Sequence, residues 1–469
     1  MLYIKKIKDR SFRRFIYKKR KQDKLSRINK DKRRRAKKAK YKYLKYKGSN
    51  WNSQSFYNFL KHTPFANNKK IRAKINGDEA TVKIPEVFSF MDNPDETISV
   101  YNLLYQISKN KQVTKVFIDH RNCKVLGLGA STVMDAFVMN LKNHKKQQSK
   151  KIQIHGRLPR DPYINMVLQV SGILKNLNII TDELDQLLED TSGIEILDLV
   201  LGGKHSSTLK VSPQATSAEI STLISDYFNR CLQTQDYSLT DEGYALFCHM
   251  VGEVIDNCEI HSGDFCQWFT LGNYFIINKN EEYGECNLVL FNFGQTIYEG
   301  LKKHINSLGD NTTNKMAEQL KYSLEALTSQ HLKKGFFGPN WNEEVLWTLY
   351  ALQDGVSRCI SEDEPDRGTG TVRLIEAFQE IGNTYDGKTS EMCIISGRAQ
   401  IKFTGNYVMN SEMKENETRQ IIAFNSQNDL NLPPDKKCVR LLKNHFPGTV
   451  ISMKFYLDRK YFDDVLKEE

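Results

Sequence analysis

The sequence predicts an α+β protein in which a basic arm precedes two folded domains. Strand and helix patterns alternate through residues 78–194, which is typical of a sheet with helices packed on it. In residues 218–469 two long helical patterns come first and strand patterns follow, as in an α/β sandwich. The length of 469 residues allows about two to four domains.

The first 48 residues are strongly basic. They contain 23 Lys and Arg and three Asp, a charge of +20, so the rest of the chain carries −8 of the total of +12. With few apolar residues, such a segment buries too little surface to fold alone. Its cations can displace the counterions of a nucleic acid, and Tyr41, Tyr43 and Tyr46 can stack on bases. We therefore expect residues 1–48 to bind nucleic acid; the alternatives are an acidic protein, a membrane surface, or a disordered tail without a specific partner.

A linker over residues 49–77 leads to the first domain, residues 78–194. The strands and helices predicted there are, in order, EATVKIPEVFSF, ISVYNLLYQISK, KVFIDH, STVMDAFVMNLKNHKK, KIQIHG and YINMVLQVSGILKNL. The strand segments alternate apolar and polar residues or are short apolar runs, and the helix segments repeat apolar residues at helical spacing.

Residues 195–217 are rich in Gly, Ser and Thr, so we interpret them as the connection between the domains. The second domain, residues 218–469, opens with the helices AEISTLISDYFNRCLQ and LTDEGYALFCHMVGEVIDNCEIHS. The strands WFTLGNYFIINK and CNLVLFNFG follow, and then a polar and helical excursion over residues 299–367. The pattern ends with the helix TVRLIEAFQEIG and the strands EMCIISGRAQIKF and TVISMKFYLD.

The segment GEVIDNCEIHSG, residues 252–263, carries an unusual density of polar groups for a helix. Glu253 and Asn257 are four residues apart and share one face. An amide oxygen on such a face can bind a hydrated Mg²⁺ ion together with phosphate oxygens. The carboxylate of Glu253 can accept a proton from water. The alternative is a polar helix face that simply points to solvent.

Three later segments combine an element boundary with glycine: VLFNFGQTI (289–297), DRGTGTVRLIEAF (366–378) and FPGTVISMKF (446–455). The first ends a strand at Asn292 and Gly294. In the second, Gly368 and Gly370 precede a helix whose free N–H groups and positive dipole end suit a phosphate. The third leads through a Gly-Thr pair into the last strand. Each segment alone is weak evidence, and their order and spacing together are more specific.

The order of these four segments resembles the Bergerat-fold ATP-binding domain of gyrase, heat-shock chaperones, histidine kinases and mismatch-repair proteins. The resemblance covers residues 215–460. It implies that Asn257 coordinates Mg²⁺, that Glu253 activates the hydrolytic water, and that Asp256 lies beside the nucleotide. The further ATP contacts that it implies are Asn292, Gly294, Gly368, Thr369, Gly370 and Thr449, and it places the lid over the nucleotide in 299–367.

Two residues depart from the pattern of this family. Asn292 stands where the family usually has Asp, so the hydrogen bond from the adenine amino group would go to an uncharged oxygen and be weaker. Thr296 stands at the second glycine of the same motif. These differences affect the expected affinity and base preference, and they leave the metal and phosphate positions unchanged.

The first domain resembles, more loosely, the STAS domain of anti-sigma-factor antagonists. In KVFIDHRNCKVLGLGASTVMDAF a strand, Asp119, a small-residue loop and a helix follow the order of that family. A serine at the start of this helix can be phosphorylated in the family, and Ser131 or Thr132 is the nearest match. The interpretation that we favour is that Ser131 caps the helix by accepting hydrogen bonds from free N–H groups.

We therefore expect a cytoplasmic, Mg²⁺-dependent ATP-binding protein, specifically an ATPase that acts with nucleic acid, and the architecture suggests a bacterial defence assembly as its setting. The alternatives are a serine protein kinase or partner-switching protein acting on STAS-type serines, and a nucleotide-sensing module with little turnover. A homodimer or a larger assembly with other proteins stays open. No membrane partner is expected, because no stretch approaches the roughly 18 apolar residues of a spanning helix. Nine scattered cysteines indicate reduced thiols.

Overall fold

Helices and sheets both contribute to the fold, as the sequence predicts for an α+β protein. The structure is a computed structural model. It describes residues 4–6, 53–67, 73–149, 151–172, 194–203, 213–261, 263–276, 283–307, 315–333, 341–353, 370–381, 384–414 and 417–468. None of the helices in these ranges combines the length and the apolar composition that crossing a bilayer requires.

The first part of the chain contributes one separate strand and a small α/β unit. The elements are β1 (Ile4–Lys6), α1 (Ser53–Lys61), β2 (Lys74–Asn76), β3 (Glu79–Lys83), β4 (Val87–Phe88), α2 (Pro94–Lys109), β5 (Lys115–Asp119), β6 (Val125–Leu126), α3 (Leu128–Gln147), β7 (Gln153–Arg157) and α4 (Pro162–Val170). A 3-10 turn, Pro64–Asn67, lies between α1 and β2.

Four strands of this unit form a sheet in the order β2-β3-β5-β7. β3, β5 and β7 run parallel, and Phe117 of β5 is level with Thr81 on one side and His155 on the other. Val116 and Ile118 are buried among apolar residues of α2 and α3, whereas Phe117 lies on the opposite face. The helices between the strands follow from the parallel pairing, which requires crossover connections.

The second part of the chain forms a larger unit. Its elements are β8 (Glu195–Gly202), α5 (Pro213–Thr234), β9 (Tyr237–Leu239), α6 (Asp241–His261), β10 (Gln267–Phe275), β11 (Tyr283–Phe293), α7 (Ile297–Ser307), α8 (Lys315–Lys333), α9 (Glu343–Tyr350), α10 (Gly370–Ile381), β12 (Glu391–Phe403), β13 (Asn410–Lys414), β14 (Glu417–Ile421), β15 (Val439–Asp458) and α11 (Arg459–Glu468). Five strands form an antiparallel sheet in the order β12-β15-β11-β10-β8.

This five-stranded sheet is buried on both faces. On one face, α5, α6 and α10 pack over side chains such as Trp268, Leu290 and Ile451. On the other face the first unit packs through α2 and α3, and the rings of Phe137 and Phe293 lie 5.3 Å apart. The two predicted domains therefore share one apolar core.

Helix α3 lies directly on β15 at Gly129. A Cβ atom at Gly129 would lie 2.8 Å from Oγ and 3.0 Å from Cβ of Ser452. A larger residue at this position would therefore require the Ser452 side chain to shift, whereas glycine lets the first turn of α3 approach the strand without a shift.

Both predicted linkers contain secondary structure, so the linker predictions are wrong for those residues. Residues 49–77 include α1, which buries Phe56 and Leu60, and they also include β2. Residues 195–217 include β8, the edge strand of the five-stranded sheet, and the start of α5. The Gly and Ser residues that indicated a linker follow the apolar stretch of β8, and residues 204–212 lie outside the described part of the chain.

The predicted arm, residues 1–48, begins with a strand. β1 pairs antiparallel with β9, and Ile4 is buried in the core of the second unit. Lys6 forms an ion pair with Asp463 of α11, and Lys5 lies 3.5 Å from Asp241. Residues 4–6 of the predicted basic arm are therefore part of the fold, and the rest of residues 1–48 lie outside the described residues.

Candidate functional site

Helix α6 carries the polar segment whose orientation the sequence leaves open. One side of α6 is an apolar stripe facing the sheet, formed by Phe247, Met250, Val251, Val254 and Ile255. Glu253, Asp256 and Asn257 lie at the margin of this stripe and are half-buried. The side chain of Glu253 is only 19% exposed, so the helix turns this carboxylate partly inward.

His249 lies one turn before Glu253 on the same side of α6. Its Nδ1 atom is 3.4 Å from Oε1 of Glu253, and its side chain is 53% exposed. His249, Glu253 and Asn257 follow one another at intervals of four residues and therefore lie along one line of the helix. The carboxylate has an imidazole on one side of it along this line and an amide on the other.

The ends of three neighbouring strands place polar side chains next to one another. Asn292 of β11 is level with Thr449 of β15, which in turn is level with Ser396 of β12. Oγ1 of Thr449 lies 2.9 Å from Oγ of Ser396, and the N–H of Ile297 donates to the same serine oxygen at 2.9 Å. Asn292 and Ser396 are buried, and Thr449 is half-buried. We call Asn292, Thr449 and Ser396 the polar row.

Trp268 connects the polar row to α6. It is level with Asn292 on the neighbouring strand β10, and its indole N–H donates to Oε1 of Glu259 at 2.8 Å. Glu259 lies two residues beyond Asn257 on α6. The structure therefore brings the C-terminal half of α6 and the end of β11 together on one face of the sheet.

Gly448 allows the polar row to form. Its φ is +146°, and a Cβ atom there would lie 2.0 Å from the carbonyl oxygen of Asn292. Glycine avoids this contact and adopts this backbone conformation at little cost. Consequently β15 approaches β11 closely enough to place Thr449 beside Asn292. In the loop that follows β11, the N–H of Gly294 donates to the carbonyl of Pro447 at 3.3 Å.

Thr296 lies directly before helix α7 and caps its first turn. Its hydroxyl accepts a hydrogen bond from the N–H of Glu299 at 3.1 Å, and the Glu299 carboxylate accepts one from the N–H of Thr296 at 2.9 Å. This reciprocal pair is a capping box, in which the side chains satisfy N–H groups that have no partner within the helix. The side chains of Thr296 and Glu299 therefore stabilise the start of α7.

The expected phosphate-contacting residues are only partly described. Gly370 is the first residue of α10, whereas Gly368 and Thr369 lie outside the described residues. α10 packs against α6 and β15 and buries Ile375 and Phe378 in the core that these elements share. Helix α10, at whose start the phosphate contacts are expected, therefore lies next to α6, which carries Asn257.

Ser131 does not cap α3, so that prediction is wrong. The helix begins at Leu128 with Gly127 as its N-cap, which places Ser131 one turn inside the helix. The Ser131 side chain is 1% exposed, and its N–H donates to the carbonyl of Gly127 at 3.1 Å. Thr132 is also buried, and its hydroxyl donates to the carbonyl of Leu128 at 2.7 Å. The helix starts earlier than predicted because apolar and small residues of the loop form its first turn.

A carboxyl group and an imidazole with shifted pKa values border the polar row. Glu344 of α9 accepts a hydrogen bond from the N–H of Arg398 at 2.7 Å, and burial raises the pKa of this carboxyl group. Burial, and to a smaller extent the Arg398 charge, lower the pKa of His445 to about 4. Both side chains approach Gly397, which follows Ser396. An uncharged imidazole therefore lies beside the site at neutral pH.

Sequence reasoning missed His249 and Ser396. The four-residue spacing between His249 and Glu253 is a signal that would have found the first, because such pairs meet on a helix surface. Ser396 carries no comparable signal. Its position beside Thr449 depends on strand order and on a register shift between Ser396 and Gly397.

Comparison with known proteins identifies no relative. No family model, no curated protein and no solved structure matches the chain. The fold and the site together define a mixed α+β protein with a polar site between α6 and the end of β11.

Proposed function

We propose that the second unit is a Bergerat-type domain that binds and hydrolyses Mg²⁺–ATP, that the first unit is STAS-like, and that the ATPase acts with nucleic acid. One observation carries the proposal. The half-buried Glu253 and Asn257 of α6 and the polar row lie on the same face of one antiparallel sheet. The chain order supports it as well, because a long helix pair precedes the central strands and a glycine-led helix precedes the last ones.

The residues present fit a magnesium ion. In nucleotide sites Mg²⁺ is held by one or two protein oxygens together with phosphate oxygens and waters. Asn257 offers an amide oxygen on a half-buried side chain that makes no hydrogen bond to any other described residue. When bound, the ion would neutralise charge on the phosphates. Asn257 would hold it, and Asp256 would lie beside the nucleotide.

Hydrolysis requires a group that accepts the proton of the attacking water. Glu253 is suited to this role because its carboxylate is largely withdrawn from solvent and is held next to His249. Transfer of the phosphoryl group to water needs such a base, because the attacking water must lose a proton. His249 would act as a positioning residue by fixing the orientation of the carboxylate.

The polar row would bind the adenine edge. Asn292 offers an amide oxygen to the adenine amino group, and Thr449 lies beside it on the next strand. The backbone N–H groups around Gly368, Thr369 and Gly370 would contact the phosphates. Because Asn292 is uncharged, we expect weaker discrimination between bases than an Asp would give.

The test compares four proteins: wild type, Glu253→Ala, Asn257→Ala and Glu242→Ala. Binding of a fluorescent ATP analogue and release of phosphate are measured with and without Mg²⁺. Glu253→Ala should bind ATP and lose about 10²- to 10⁴-fold in turnover, whereas Asn257→Ala should lose the Mg²⁺-dependent part of binding. Glu242 is exposed in the first turn of the same helix and serves as the matched control. Wild-type protein that binds no ATP contradicts the proposal.

A nucleotide-sensing module with little turnover is the second candidate, and the uncharged Asn292 favours it. Its signature in the same experiment is Mg²⁺-dependent binding without phosphate release, unchanged in Glu253→Ala. A kinase acting on the protein's own STAS-like unit gains no support from the structure, because Ser131 is buried within α3.

A further inference from the structure

Among the described residues, no apolar core packs on the face of the four-stranded sheet opposite α2 and α3. Side chains from the three parallel strands lie level with one another on this face, with Phe117 at its centre. Lys83, His155 and Arg157 are exposed, and Phe117 itself is half-buried. A partly exposed phenylalanine among cations is an unusual centre for a sheet face that only contacts water.

Two side chains of the neighbouring strand β7 contact the half-buried ring of Phe117. The guanidinium carbon of Arg157 lies 5.7 Å from the ring centroid, within the range of a cation–π contact. The imidazole of His155 meets the ring edge-on, with centroids 5.4 Å apart and planes at 62°. Planar groups on adjacent strands therefore form a small platform on which a flat ligand can stack.

The charges of this face favour an anion. Three acids on it or at its rim lie close to a base: Glu79 to His155 at 3.0 Å, Asp119 to Arg121 at 2.6 Å, and Asp78 to Lys115 at 3.5 Å. Lys74 and Lys83 form no ion pair with any other described residue, and Arg157 lies over Phe117. The cations in excess thus flank the aromatic platform.

The basic N-terminal segment leads into α1, which packs on α3. Ser53, the first residue of α1, donates its hydroxyl to the side chain of Gln147 at 2.7 Å. Gln147 ends α3, and the chain then leads within six residues into β7, the edge strand that carries His155 and Arg157. Residues 1–48, with a charge of +20, therefore lead into the fold on the α3 side of the sheet, opposite Phe117.

We propose that this sheet face binds single-stranded nucleic acid, with bases stacking on Phe117 and phosphates contacting Lys83 and Arg157. Stacking on aromatic side chains together with a basic surface is how single strands are bound without duplex geometry. A duplex does not present its base faces, so it would make only the phosphate contacts. RNA and DNA strands share the required chemistry. The inference goes beyond the ATPase proposal and does not depend on it.

The experiment uses the full chain without nucleotide and two labelled oligomers of about 12 nucleotides, one RNA and one DNA. Each contains 2-aminopurine, whose fluorescence changes when it stacks. Affinity and fluorescence are measured for wild type, Phe117→Leu, the pair Lys83→Gln/Arg157→Gln, and the control pair Lys436→Gln/Lys437→Gln. The control lysines are exposed in the second unit, so the control removes the same charge elsewhere.

Phe117→Leu should weaken binding about 5- to 100-fold and remove the 2-aminopurine signal. In the Lys83→Gln/Arg157→Gln variant, the slope of log K against the logarithm of the salt concentration should become shallower by about 1.4, at about 0.7 for each lost phosphate contact. The control pair should leave both unchanged, and the oligomer with the higher affinity identifies the preferred strand. The proposal is overturned if Phe117→Leu keeps the wild-type affinity and signal, or if the control pair weakens binding as much as the Lys83/Arg157 pair.

Discussion

His249 is the residue that the structure adds to the candidate site. Its imidazole lies 3.4 Å from the Glu253 carboxylate and is more than half exposed, so replacing it removes little packing. In His249→Ala we expect turnover of ATP to fall about 10- to 100-fold, because a displaced base is a poor acceptor for the water proton. The KM for ATP should stay close to the wild-type value.

Steady-state phosphate release measures both quantities, and His249→Gln provides the conservative comparison. The amide of Gln can still contact the carboxylate, so part of the lost kcat should return. A parallel rise in KM without a fall in kcat would show that His249 contributes to nucleotide binding and not to orientation of Glu253.

Two buried histidines make the stability of the protein depend on pH. Burial lowers the pKa of His120 and of His445 to about 4, below the 6.5 of the unfolded chain. Stabilisation by each neutral ring is complete above pH 6.5 and is lost as the pH falls towards 4, because the unfolded chain then binds the extra proton. Between pH 7 and pH 5 each histidine should lower the free energy of unfolding by ~2 kcal/mol.

Urea unfolding at several pH values measures this slope. His120→Gln and His445→Gln should each flatten it, whereas His62→Gln should not, since His62 is exposed in the folded protein. A slope that is the same in wild type and in both variants would contradict the assignment.

At the residue scale, the sequence predicted what short-range spacing determines. Glu253 and Asn257 are four residues apart, so their common face follows from helix geometry. Two features could not be predicted in the same way: the presence of Ser396 in the polar row and the capping role of Thr296. The first depends on the register of two strands that are distant in sequence, and the second on where a loop ends and α7 begins.

At the scale of elements, the contact between α3 and β15 is sensitive to side-chain size. A Cβ atom at Gly129 would lie 2.8 Å from Oγ of Ser452. Gly129→Val should therefore lower the free energy of unfolding by about 1 to 3 kcal/mol, the usual cost of overpacking. Adding Ser452→Ala removes the nearest atom and should recover part of this loss.

Chemical denaturation of the wild type, the two single variants and the double variant forms a mutant cycle. A coupling energy near zero would mean that the helix and the strand do not meet at this point. Gly129→Val improves intrinsic helix propensity, so a loss of stability cannot come from the helix alone.

Most strands and helices with strong periodicity were predicted, and β12 has the predicted bounds, Glu391–Phe403. The elements within the two supposed linkers were not. α1 is nine residues long and β8 precedes a Gly- and Ser-rich run, so neighbouring turn residues dominated the composition of both segments. Their structure comes from tertiary burial, α1 against α3 and β8 against β10, which composition does not reveal.

At the scale of the molecule, the sheet with two buried faces makes the second unit dependent on the first. The face covered by α2 and α3 contains Phe269, Val289 and Phe291. A fragment of residues 195–469 would expose this apolar surface to water. We expect the fragment to bind the dye ANS and to aggregate, whereas the full chain unfolds in one cooperative transition.

Size-exclusion chromatography with light scattering and ANS fluorescence compare the two proteins. Near-UV and far-UV circular dichroism of the full chain should give coincident unfolding curves. A monomeric fragment without ANS binding would mean that the two units fold independently. The sequence pattern predicted two units but not their shared core. The apolar side chains on the facing surfaces do not reveal from the sequence that the two units pack against each other.

The pairing of β1 with β9 has a consequence for the topology of the chain. Lys6 contacts Asp463 near the last described helix residue, so the first and last described elements are adjacent. The basic stretch between Lys6 and Ser53 is consequently flanked by two elements of the fold, β1 before it and α1 after it. A circular permutant that joins residue 468 to residue 4 and opens the chain within residues 7–52 should therefore retain the pairing of β1 with β9.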